Sequence, residues 1–86
     1  MIQIRTANND LFQIAWAGVS SIDGILRFAV INPNIAEVFS VFSNPANCST
    51  LTRVFDNQET VYSGYSVFRG ITVNFDGSVI VAMSKI

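Results

Sequence analysis

The dipeptide Asp76-Gly77 constrains the fold most strongly, because it separates two short segments of strand-forming residues. Asp-Gly between two such segments is the strongest short-range signal for a β-hairpin. The flanking segments cover residues 71–75 and 78–83. We therefore predict that this part of the chain forms an antiparallel hairpin.

A two-residue loop at this turn would fix the register of the hairpin. It places Val73 opposite Ile80 and Ile71 opposite Ala82, so that one face is almost entirely apolar. A half-apolar reverse face indicates partial cover by another element or another subunit. The reverse face carries Thr72, Asn74, Val79, Val81 and Met83.

Five further segments have the composition of strands, with apolar residues in alternation or in short β-branched and aromatic runs. In the first segment Ile2 and Ile4 fall on one face, and in the second Phe12, Ile14 and Trp16 do so. The segments cover residues 2–6, 11–17, 25–31, 51–55 and 60–68.

The turn at residues 8–10, Asn-Asn-Asp, decides which residues of the first two segments face one another. A three-residue loop pairs Ile4 with Phe12 or Ile14 and keeps one face apolar, whereas a two-residue loop pairs Ile4 with Gln13. Because burial of one face sets strand register, we predict the longer loop.

Two other features shape the second half of the chain. Residues 56–59, Asp-Asn-Gln-Glu, predict a hairpin loop of two to four residues. Gly64 and Gly70 interrupt good strand segments and indicate bulges or bends that curve a small sheet.

One segment has helical rather than strand periodicity. Asn34 with Glu37 three residues later is typical of a helix N-terminus, and the Ser-Asn-Pro sequence at 43–45 ends the pattern. We predict a helix over residues 34–43; a strand over 38–42 remains the alternative, because β-branched and aromatic residues favour it. The apolar stripe consists of Ile35, Val38, Phe39 and Phe42.

Taken together, these elements predict an α+β fold in one domain covering residues 1–86. The expected architecture is a curved, barrel-like antiparallel sheet of five or six strands with one short helix. An 86-residue chain has no room for a second core.

Composition narrows the classes of partner. Only 13% of residues are charged, whereas about 25% is usual, so we expect apolar surface that is buried in a homo-oligomer or a larger assembly. Scattered basic residues and the lack of a secretory or membrane-spanning pattern argue against nucleic acid and membrane partners and favour a cytoplasmic site of synthesis.

Most catalytic constellations need residues that this chain lacks. There is no histidine, and Cys48 is the only cysteine, so neither a histidine-dependent triad nor a zinc site can be built. We expect no catalytic residue, cofactor or metal. The remaining enzymatic hypothesis is a ligand-binding or hydrolytic site that uses the turn carboxylates Asp56, Glu59 and Asp76.

Aromatic residues with polar ends are the best candidates for a protein interface. Tryptophan, tyrosine and arginine dominate the residues that contribute most binding energy in protein complexes. The alternative is that they lie at the edge of the core with their polar ends satisfied. The candidate interface residues are Trp16, Tyr62, Tyr65 and Arg69.

Residues 34–85 resemble small phage- and prophage-encoded proteins of unknown role. The resemblance rests on three motifs: residues 42–47, Phe-Ser-Asn-Pro-Ala-Asn, after the helix; Gly64-Tyr65 at the start of a strand; and residues 76–81, Asp-Gly-Ser-Val-Ile-Val. It implies a virion, assembly or accessory subunit, associated with the virion after synthesis, and it transfers no catalytic residue.

The functional hypothesis is therefore a non-enzymatic structural or protein-interaction module that self-associates or docks on a larger assembly. A small inhibitor of a host enzyme is the alternative with the same composition.

Overall fold

Seven antiparallel strands form one sheet, and the structure, a computed structural model, describes all 86 residues. The sheet therefore contains more strands than the five or six predicted. The order across the sheet is β5-β4-β1-β2-β3-β7-β6. The strands are β1 (Ile2–Arg5), β2 (Leu11–Val19), β3 (Leu26–Val30), β4 (Thr50–Phe55), β5 (Gln58–Ser63), β6 (Val67–Val73) and β7 (Val79–Ser84).

The sheet is rolled, but it does not close into the barrel-like form predicted. β5 and β6 lie at opposite edges, yet only residues 64–66 connect Ser63 to Val67. These two Cα atoms are therefore at most about 14 Å apart. The edges of a flat seven-stranded sheet would lie about 29 Å apart. β5 and β6 do not pair with each other, so both remain edges.

The predicted helix forms as α1 (Ile35–Phe42), which excludes the alternative strand. The Asn34 side chain caps it by accepting a hydrogen bond from the Glu37 amide at 3.2 Å. A 3₁₀ helix, Pro45–Cys48, follows and is capped in turn by Asn44, so the Ser-Asn-Pro sequence ends α1 as expected.

One face of the sheet, called the inner face, packs against α1. The Phe42 ring of α1 lies 5.1 Å from the Phe12 ring of β2 and 5.0 Å from the Phe28 ring of β3. Burying such a side chain contributes up to about 3 kcal/mol. Of the helical stripe, Val38 and Phe42 are fully buried, whereas Ile35 and Phe39 are half exposed. The opposite face of the sheet is called the outer face.

The inner face supplies residues from most strands to a single core. Its members alternate along each strand with residues of the outer face, as expected for a sheet that is covered on one side. The fully buried core consists of Ile4, Ile14, Leu26, Phe28, Val30, Val38, Phe42, Cys48, Leu51, Val79, Val81 and Met83.

The first hairpin confirms the prediction of a three-residue loop. The Thr6 amide donates a hydrogen bond to the Asp10 carbonyl at 2.9 Å across this loop, and Ile4 lies opposite Phe12. Asn9 ends the loop with φ 69°, a left-handed conformation that asparagine tolerates.

The predicted register of the β6–β7 hairpin is wrong. Its loop also has three residues, because the Asn74 amide bonds the Ser78 carbonyl at 2.8 Å and Gly77 supplies the left-handed residue with φ 87°. Val73 consequently faces Val79 rather than Ile80. This one-residue shift puts three residues assigned to the reverse face on the inner face. They are Val79, Val81 and Met83.

Trp16 does not share a face with Phe12 and Ile14, which corrects a second prediction. The pairing of β2 with β3 shifts register between Ile14 and Ala17, so one extra residue is accommodated there. Ala17 then packs against the core, and Trp16 is left 45% exposed. A β-bulge of this kind redirects a side chain without ending the strand.

The remaining turns agree with their sequence signals. Asp56 and Asn57 form a two-residue loop between β4 and β5, both with positive φ, which suits the twist of a hairpin. Gly70 lies at a register shift in β6 with φ 145°, and Gly64 follows β5 with φ 80°. The predicted strand over 60–68 is therefore interrupted at residues 64–66.

Candidate interaction surface

Tyr62 and Tyr65 lie together at the connection between the two edge strands, β5 and β6. Tyr62 is in β5 opposite Leu51, and Tyr65 is in the connection from β5 to β6. Their ring centroids are 6.2 Å apart with the rings nearly perpendicular, and the Lys85 Nζ lies 5.2 Å from the Tyr65 centroid. Both tyrosines are half-buried against the core. They therefore have the mixed character of core-edge residues and contact residues.

Trp16 and Arg69 are separate from each other. Trp16 is on β2, and two strands, β3 and β7, lie between it and Arg69 on β6. Three strand spacings correspond to about 14 Å. Arg69 is exposed at the β6 bulge and has no carboxylate within ion-pair distance. The four candidate residues therefore do not form one continuous cluster.

Trp16 instead belongs to an apolar area of the outer face, called the outer patch. Ala29, a small residue of this patch, is only 2% exposed. The cross-strand neighbours of Ala29 are Ile80 and the bulge residues of β2. The outer patch has no charged member and consists of Ala15, Trp16, Ala29, Thr72, Ile80 and Ala82.

The outer patch was missed because it depends on the two register shifts described above. With the shorter loop, Ile80 and Ala82 are assigned to the inner face, and without the bulge Trp16 is assigned there too. The only sequence signal was Gly70, which indicated the irregularity in β6; nothing in the sequence indicated the bulge in β2 that redirects Trp16.

Ion pairs occupy the outer face on either side of the outer patch. Arg27 contacts Asp23 at 2.9 Å, and this pair holds the pKa of the Asp23 carboxyl down at about 2, assisted by the Ile25 amide. Arg5 of β1 contacts Glu59 of β5 at 3.0 Å across β4. Both arginines are therefore neutralised locally.

The lone cysteine is part of the core. Cys48 is fully buried, and its Sγ lies 3.6 Å from the Phe42 carbonyl oxygen, to which the thiol donates. Burial raises the pKa of the Cys48 thiol from 9.0 to about 11. The thiol is neutral at physiological pH, and a neutral buried thiol is a poor nucleophile.

Two of the three candidate turn carboxylates, Glu59 and Asp76, have local partners, and Asp56 is exposed in the loop between β4 and β5. Glu59 pairs with Arg5, and the Asp76 carboxylate accepts hydrogen bonds from the Ser78 amide at 2.9 Å and the Ser78 hydroxyl at 2.6 Å. These bonds lower the pKa of Asp76. No pocket is present, and no group of three or more His, Cys, Asp or Glu residues is placed to hold a metal ion.

No family model, curated protein or solved structure matches this chain. The eight-residue helix α1 falls far below the length needed to cross a bilayer, and no longer helix is present.

Proposed function

We propose that this chain is a non-enzymatic structural or interaction module that self-associates or docks on a larger assembly. One observation carries the proposal. Thirteen apolar residues are buried, whereas fourteen large apolar side chains are exposed. The exposed set includes Phe75 and Ile22 at loop tips, which have no neighbouring side chain to shield them.

A loosely packed fold would also expose apolar side chains, but the accessible surface area and the radius of gyration of this chain are those of a compact protein. The accessible surface is 5048 Å², and a monomer of 9.4 kDa has about 5,000 Å². The radius of gyration is 11.6 Å, against about 12 Å for a compact chain of this length. The exposed apolar area therefore follows from composition, in which charged residues are scarce.

We place the contact on the outer face and around the two tyrosines. The outer patch supplies Trp16 without a neighbouring free charge, and Tyr62 with Tyr65 supplies a rigid aromatic pair. Aromatic side chains surrounded by few charges are typical of interface centres. Phage or prophage origin is part of the proposal, and its support is the resemblance of residues 34–85.

Sedimentation equilibrium across low to high micromolar concentrations tests self-association. The expected result is an average mass that rises with concentration. A strict monomer at high micromolar concentration would count against self-association. The neighbouring genes test origin: tail or capsid genes support it, and metabolic genes contradict it.

The alternative of a host-enzyme inhibitor uses the same apolar surface. Capture from a host lysate on the immobilised chain distinguishes the two. Recovery of one enzyme in stoichiometric amount, with loss of its activity, would favour the inhibitor over the assembly subunit.

A further inference from the structure

The two edge strands of the sheet differ in how they are protected. Edges present unpaired backbone groups, and natural proteins block them with charges or bulges. β6 has both, because Arg69 is exposed and the register shifts between Phe68 and Gly70. β5 has neither, since it pairs with β4 without a shift, and its only charged residue, Glu59, is neutralised by Arg5.

The free side of β5 is open to solvent. Five of its six residues are exposed, and its central Val61 is 56% exposed. Because Gln58 pairs with Phe55 across the two-residue loop, alternate residues from Gln58 bond β4. The residues whose backbone groups point away from the sheet are Glu59, Val61 and Ser63.

We propose that β5 pairs antiparallel with β5 of a second copy across a two-fold axis at Val61. The inference rests on the proposed self-association and assigns it to the β5 edge beside Tyr62, which leaves the outer patch for docking on a larger assembly. In this register Val61 faces Val61 of the second copy, and Glu59 faces Ser63. All outward-pointing groups are used, which makes about six main-chain hydrogen bonds, whereas the neighbouring register centred on Thr60 makes about four.

Charge and closure favour a second copy as the occupant. Centring the axis on Glu59 would place two carboxylates opposite each other, which is unfavourable, whereas the Val61 register opposes no like charges. Pairing through β5 leaves the protected β6 strands at the ends of the joint sheet. The contact is therefore isologous and stops at a dimer, while a β5-to-β6 contact would continue into a filament.

A lysine at the axis tests the contact, because Val61→Lys would place two positive charges directly opposite each other. Its matched control is Val73→Lys on β6, where the valine is 60% exposed on the other edge. In sedimentation equilibrium we expect Val61→Lys to weaken dimerisation at least about tenfold and Val73→Lys to leave it unchanged. Circular dichroism checks that both variants fold.

Mixing two variants tests the register itself. Val61→Lys and Val61→Glu should each be monomeric alone, and an equimolar mixture should regain dimers because lysine then faces glutamate. If Val61→Lys dimerises like the wild type, or if the folded mixture stays monomeric while the wild type dimerises, the β5 contact is wrong and the proposed self-association stands. If the wild type is monomeric, the β5 dimer contact and the proposed self-association are both wrong. If the wild type is monomeric and Val61→Lys abolishes binding of another protein, the occupant is a partner strand instead of a second copy.

Discussion

Phe28 and Ala29 are neighbours in β3, yet they lie on opposite faces of the sheet and are buried for different reasons. Phe28 is covered by Phe42, a large side chain carried by α1. Ala29 is covered because it is small, while Trp16 on the same face stays 45% exposed. The inner face is thus sealed by a separate element, and the outer face only by its own side chains.

Because of this difference, the residues that stabilise the fold are not the residues that are available for a protein contact. The fully buried residues of the inner face are out of water in the monomer, so changing them costs folding free energy. The larger residues of the outer face, such as Trp16 and Val61, stay partly in water in the monomer, so their removal has a smaller effect on folding. A protein contact can therefore bury residues of the outer face and the sheet edges, because these residues are still exposed in the monomer.

Phe42→Ala should have the largest effect on stability. The change removes the ring that joins α1 to β2 and β3, and we expect a loss of about 3–5 kcal/mol, a large part of the stability of a domain this size. Phe39→Ala is the control, because Phe39 is 54% exposed and its ring pairs with Phe68 on the edge strand β6, so about 1 kcal/mol is expected. Urea unfolding followed by Trp16 fluorescence measures both. Equal losses of unfolding free energy in the two variants would mean that the buried and the exposed side of α1 contribute equally to stability.

Gly70→Ala tests the backbone of the outer face. Gly70 has φ 145°, which only glycine adopts without strain, so we expect a loss of about 1–3 kcal/mol although no atom lies within 4 Å of the added carbon. Gly18 lies in the same row of the outer face and has no positive φ. Gly18→Ala should therefore be neutral or slightly stabilising, and a comparable loss in both variants would contradict the role of φ.

Local sequence was sufficient wherever a structure depends on near neighbours. The helix over 34–43, the first hairpin loop and the loop near Asp56 were all predicted, because caps, periodicity and turn residues lie within a few positions of one another. The proximity of Tyr62 to Tyr65 also follows from their closeness in sequence.

Long-range pairing and one-residue shifts could not be predicted in this way. Asp-Gly suits both a two-residue loop and a three-residue loop that ends on a left-handed glycine, so the register near Gly77 depended on which β7 residues the core accepts. The bulge before Ala17 has no distinctive residue. Nothing local marks β5 as an edge, so Val61 was not a candidate.

Cys48 tests how well the inner face excludes water. With the pKa of its thiol raised to about 11, Cys48 should react with a disulfide reagent at pH 8 far more slowly than a free cysteine, and normally in urea. The unfolded thiol ionises near its usual 9.0, so this group should lower stability as pH rises from about 9 to about 11 and have no effect below 9. Cys48→Ala should lack that pH dependence, and fast labelling under native conditions would contradict burial.

The smallest expected effect is on the outer face, at the exposed pair of Asp23 and Arg27. The Arg27 guanidinium at 2.9 Å, followed by the Ile25 amide at 3.0 Å, lowers the pKa of Asp23 from 3.8 to about 2. A lowered pKa contributes stability above about 4, and this contribution is lost as pH falls toward 2. Because the pair is exposed, we expect a carboxyl NMR titration to detect its effect on the pKa, whereas the free energy of unfolding should barely change. In Arg27→Gln the Asp23 midpoint should rise but stay below 3.8, since the Ile25 bond remains, while the midpoint of Asp76, held down by Ser78, should not move. An unchanged Asp23 midpoint would show that the backbone bond alone holds it down.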